Sequence, residues 1–274
     1  MQWIRKYFRR WERQLALTKR QQFVAITIIL TLGLIVTQMA PSDWRYPLVI
    51  TFSIAAYFLT AFGLREDLAG IEWVTLLALP TFFTAAVLLF YFLLPIRWLT
   101  RLPVAALYAV GMYALLLTEN IFNVAAERSI ALLRAAHSVG FLLTLVTYFL
   151  LISTIFSFRL AVGWTVLYSG VISFVLILQA LWSVELTERV SGVVGRLTVT
   201  LTIVLMELVW VFEFWPVTST LKALFLTTCV YCTVGMAQQY IVEKFYRKTA
   251  IEFASVAAIV FIILLMATRW RGFV

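Results

Sequence analysis

Charge is scarce in this sequence. Of its 274 residues only 13% are Asp, Glu, Lys or Arg, while 63% are hydrophobic. A soluble domain carries about 25% charged residues. Histidine and cysteine are scarcer still: one histidine, His137, and two cysteines, Cys229 and Cys232. One such chain cannot build a Cys₄ or Cys₂His₂ zinc site. Nor can it build a bis-histidine haem or a four-cysteine iron–sulfur cluster. Several membrane-enzyme signatures are missing too. There is no paired-aspartate motif of the prenyltransferase or CDP-alcohol transferase kind. There is no rhomboid-like Gly-x-Ser with a distant His, and no second intramembrane His of the CAAX-protease kind. The Pro-Gly-x-Ser-Arg pattern of undecaprenyl pyrophosphatases, a mid-span Lys for retinal and a P-loop are also absent. No cofactor and no metal is expected, and the thin catalytic inventory points away from an enzyme.

What is present is apolar sequence in long runs. Nine segments approach or exceed the ~20 residues that cross a bilayer: 22–40, 48–64, 73–95, 103–120, 136–158, 160–184, 194–215, 217–241 and 251–268. Pro41, Pro47, Pro95, Pro103 and Pro216 punctuate the joints. Residues 136–184 read as two spans with a tight turn at Arg159, because they far exceed one crossing of ~20 residues. The fold class expected is all-α: a polytopic transmembrane bundle of nine spans, with eight as the alternative count. Residues 1–21 form a basic amphipathic segment, 22–268 the membrane domain and 269–274 a short tail. The apolar run from Phe23 to Met39 outlasts the ~7–15 residues of a signal peptide and reads as an uncleaved first span.

The net charge of +9 would suggest nucleic acid as a partner in a soluble protein. In this composition it suggests anionic lipid headgroups instead. Arg5, Lys6, Arg9, Arg10 and Arg13 sit among Trp3, Ile4, Tyr7, Phe8 and Trp11, as in a helix lying on a membrane surface. With nine spans, 15 of the 22 Lys and Arg fall on the side of the N-terminus and 7 on the other. The positive-inside rule then places the N-terminus in the cytoplasm. Short loops and the absence of an organelle-type presequence suit a bacterial cytoplasmic membrane.

Ionisable groups inside a span are costly, so each is a functional candidate. Glu207 lies just beyond the middle of span seven, with no Lys or Arg at that depth in any span, and suggests a proton or cation site. A polar run closes span four. Glu119, Asn123 and Glu127 recur at four residues and share a helical face, with Asn120 between them. Span four is expected to continue into a helix there, facing Arg134 and His137 at the start of span five. Such a cluster could hold a phosphate through its arginines or move a proton at Glu119 or His137. Gln179, Gln238 and Gln239 could complete the same cavity. Glu213 and Lys222 suggest an interfacial ion pair. Pro80 predicts a kink, with Thr81 and Thr84 near the freed carbonyl. Cys229-Val230-Tyr231-Cys232 falls inside span eight, where small packing residues are expected rather than a redox pair.

Three functions follow. The first is a non-enzymatic protein that binds or moves a small solute, lipid or ion through Glu207 and the polar cluster. The second is a membrane enzyme acting on a lipid-linked substrate. The third is a structural or partner-binding subunit. The inventory favours the first; protein partners and a homo-oligomer stay open.

Overall fold

The computed structural model describes residues 18–37, 41–65, 70–94, 98–124, 130–187 and 189–268. The basic segment before Thr18, Glu127 with its neighbours 125–129, and the tail from Arg269 lie outside the described residues. Among the described residues there are nine long helices and no strand. They are α1 (Lys19–Thr37), α2 (Arg45–Leu64), α3 (Glu72–Leu93), α4 (Trp98–Asn123), α5 (Ile130–Ser157), α6 (Val162–Glu185), α7 (Gly192–Glu213), α8 (Ser219–Ile241) and α9 (Arg247–Ala267). Each is long and apolar enough to cross a membrane.

The physical reason is the solvent. Hydrocarbon offers no hydrogen bonds, so a crossing segment must satisfy its own backbone, and the helix does so. Side-chain hydroxyls obey the same rule by folding back four residues. Thr147 donates to the Leu143 carbonyl at 2.7 Å, Thr198 to Val194 at 2.8 Å and Thr233 to Cys229 at 2.7 Å.

The structure corrects one boundary of α4 and shows the expected continuation at the other. Pro103 does not open α4: the helix begins five residues earlier, at Trp98, and carries Pro103 inside it. Proline at this sixth position removes the donor that the Leu99 carbonyl would otherwise receive, and the helix runs on through it. At its other end α4 runs past residue 120 to Asn123, since nothing in Asn120-Ile121-Phe122-Asn123 breaks a helix. The turn at Arg159 is where the sequence placed it, and Arg159 closes it in the left-handed region with φ 49°. Leu186 and Glu243 play the same part at the ends of α6 and α8, with φ 50° and 57°.

Helices α3 and α5 form the centre. The first packs against α2, α4, α5 and α6, and the second against α3, α4, α6 and α8. Pro80 lies within α3 as expected, but the hydroxyls bypass the carbonyl of Leu76 that it frees. Thr81 donates to Leu77 and Thr84 to Pro80. With its proton so engaged, Thr84 accepts from Tyr108 on α4 at 3.0 Å, and the Tyr108 ring stacks on Phe83 at 5.5 Å.

The peripheral helices have fewer neighbours. Helix α1 leans on α2 and α4, α7 on α6 and α8, and α9 on α8. Phe253 of α9 sits in a notch at Gly235, where an added Cβ would stand 2.7 Å from the ring. The Cys232 thiol donates to the Phe253 carbonyl at 3.2 Å, and Trp215 donates to Thr268 at 2.9 Å. Cys229 and Cys232 are both free thiols, and Cys232 helps hold α9 in place.

Candidate functional site

The ends of α2, α4 and α6 meet at one end of the bundle. Glu119 lies four residues before the last residue of α4, about 6 Å along the helix axis. Its side chain is fully buried. One carboxyl oxygen accepts from the Gln179 amide of α6 at 3.3 Å. The other, Oε2, has no donor among the described residues. Two further oxygens share this condition: Oδ1 of Asn120, a residue 8% exposed, and Oδ1 of Asn123. Asn123 spends its amide on the Leu64 carbonyl at the end of α2, at 3.2 Å. The Gln179 oxygen is poorly served as well. Thr144 of α5 approaches it at 3.5 Å but has a nearer acceptor in the Gly140 carbonyl at 2.9 Å, and one hydroxyl has one proton.

The walls of this site are held by hydrogen bonds to the last carbonyls of α6. His137 Nε2 lies 2.6 Å from the Ser183 carbonyl oxygen. A carbonyl can only accept, so this nitrogen carries the proton. The ring rests against Phe122 with centroids 5.2 Å apart. From α8, Gln238 donates to the Ala180 carbonyl at 2.9 Å. Three helix C-termini therefore converge, each bringing the partial negative charge of its terminal carbonyls.

The expected residues separate into two groups. Glu119, Asn120, Asn123 and His137 gather with Gln179 and Gln238. Arg134, on α5, is exposed, and Glu127 falls outside the described residues. Glu207 stands apart. It is exposed on α7, which packs against α6 and α8 through Val194, Thr198, Thr202, Leu205 and Val209. It does not line a common path with Glu119. Glu213 lies near enough to Lys222 to act on its charge, as expected, and each has a further partner. Thr165 donates to Glu213 at 2.9 Å, and the Lys222 ammonium stands 5.2 Å from the centre of the Phe156 ring.

Ser183 and Thr144 were missed from sequence. Serine and threonine recur so often along these spans that neither stands out. Gln179 gave the better signal, as an amide in an apolar helix.

The chemistry available is one-sided. An unsatisfied buried acceptor costs about 1–3 kcal/mol, and here three of them, one on the Glu119 carboxyl and two on asparagines, fall within the last turn and a half of α4. What would relieve them is a hydrogen-bond donor or a cation. A phosphate brings only more acceptors.

These features define a multi-pass α-helical membrane protein with a polar site one helical turn inside the bundle. The chain belongs to the family described as a protein of unknown function, DUF5656, which matches residues 123–267, just over half of its length. No curated protein and no solved structure matches it. The matched stretch contains His137, Thr144, Gln179, Ser183 and Gln238 and begins at Asn123. Glu119 and Asn120 lie just ahead of it.

Proposed function

We propose that this protein binds, and carries across the membrane, a small cation or hydrogen-bond-donating solute that docks at Glu119. The observation that supports this is the set of three buried acceptor oxygens, on Glu119, Asn120 and Asn123, with no donor among the described residues. The converging C-termini of α2, α4 and α6 favour positive charge at the same place. The reading is non-enzymatic, because the site offers acceptors and a histidine already committed to a backbone carbonyl. The Lys and Arg bias supports a cytoplasmic N-terminus, with this end of the bundle on the cytoplasmic side of a bacterial inner membrane.

Thermal unfolding of the detergent-purified protein tests it, with sodium, potassium, ammonium and guanidinium chlorides as probes and choline chloride as the bulky control. One of the small cations should raise Tm by several degrees as it saturates a site. Glu119→Gln should abolish that rise. Native mass spectrometry of the same samples covers neutral solutes. Absence of a Tm rise with every cation, together with nothing but bulk lipid in the spectra, would overturn the proposal.

A further inference from the structure

The outward face of α7 carries a carboxyl that the Glu119 site does not explain. Arg196, Thr200, Ile203, Glu207, Trp210 and Phe214 are all exposed and follow one another at four and three residues. Glu207 is six residues, about 9 Å, from the Glu213 end of α7 and fifteen residues, about 22 Å, from Gly192. Its two methylenes cannot lift the carboxyl to either headgroup layer. In an isolated copy this group faces lipid tails, where polar side chains almost never stand without a partner. Among the described residues no donor reaches it, and the Thr200 hydroxyl two turns earlier has no partner either.

We infer that this face of α7 packs against the same face of a second copy, with the two Glu207 carboxyls hydrogen-bonded to each other beside a twofold axis. This goes beyond the Glu119 site and does not depend on it. Three observations select a second copy as the occupant. First, a carboxyl bearing its proton both donates and accepts, so two of them close a reciprocal pair. A twofold interface requires such self-complementarity. Second, among the described residues every Lys and Arg lies in a joint or within the first five residues of a helix, so none stands at the depth of Glu207. Third, the four-and-three spacing is the seam of a left-handed helix pair. On it the β-branched Thr200 and Ile203 give a stiff surface on one side of the carboxyl, and Trp210 and Phe214 give a broad one on the other. The two Arg196 side chains fall at the headgroup level, where their long stems let them splay apart into the lipid surface.

The test is the mass of the protein in mild detergent and its proximity in vesicles. Native mass spectrometry of the wild type should give twice the chain mass. Glu207→Leu should weaken the dimer about tenfold, and it should keep the fold because leucine suits a lipid-facing position. Glu207→Gln should restore association, since an amide also donates and accepts. In a Cys229→Ala, Cys232→Ala background, Ile203→Cys should crosslink to a second copy on oxidation in phosphatidylethanolamine–phosphatidylglycerol vesicles. A wild type that stays monomeric and uncrosslinked overturns the inference. So does a dimer that Glu207→Leu leaves as tight as before, or a single copy held by a different membrane protein through α7.

Discussion

Glu119 and Glu207 are both carboxyls in apolar helices, and their surroundings are opposite. Glu119 is fully buried, shares an oxygen with Gln179 and adjoins two amides lacking donors. Glu207 is exposed on the outer face of α7, among residues suited to lipid or to another helix. Depth along a span does not distinguish them, because Glu119 lies four residues from the end of α4 and Glu207 six from the end of α7. The direction in which each points distinguishes them. A carboxyl turned inward can act on something small enough to enter the bundle. A carboxyl turned outward can act only on something beside it in the membrane.

Replacing each by leucine gives the largest expected contrast. Glu119→Leu leaves the Gln179 amide without its acceptor in a packed interior and should cost about 1–3 kcal/mol. Glu207→Leu should leave the stability of the isolated copy within about 0.5 kcal/mol, as for a surface change. Unfolding both variants in mixed detergent micelles measures the difference. Equal losses would break the comparison.

His137 sharpens it. This residue borders the Glu119 site, yet its Nε2 donates to the Ser183 carbonyl and so holds the end of α6. His137→Ala should cost about 1 kcal/mol, and His137→Gln should recover much of that by supplying a donor. The cation-dependent rise in Tm should survive in His137→Gln and vanish in Glu119→Gln. Loss of the rise in both would make His137 part of the binding site.

The smallest effect concerns the turns that let these helices pack. Arg159 is exposed and held at φ 49°. Arg159→Gly should relieve a left-handed strain of about 1 kcal/mol, partly offset by the greater freedom of glycine when unfolded. The same unfolding assay should show a gain of a few tenths of a kcal/mol, and a loss would mean that the arginine side chain supports the turn.

The helices were legible because crossing a bilayer demands one simple thing of a sequence, an apolar run of sufficient length. Even the nearly continuous stretch 136–184 resolved into α5 and α6 on length alone. Pro103 misled, because a proline near the start of a helix looks like one that precedes it. The polar cluster at Glu119, Asn120 and Asn123 was legible by its density in an apolar chain. Its partner Gln179 lies 60 residues away, and only packing brings the two together. Facing was the least legible property. Residues on every side of α7 are apolar, so the pattern that marks the inner side of a helix in a soluble protein is missing, and Glu207 could be placed in depth but not in direction.

Helix α9 contacts the rest of the described bundle chiefly through α8 and the joint before it, by way of the notch at Gly235, the Cys232 thiol, the Trp215 indole and the Phe225 and Tyr231 rings. This gives the molecule a seam. Pulled from its C-terminal side, the protein would shed α9 as a first, separate step and keep the Glu119 site whole. During synthesis the same seam runs in the opposite sense. The first eight helices can settle around their polar centre before the ninth emerges, so α9 arrives as cladding on a finished frame.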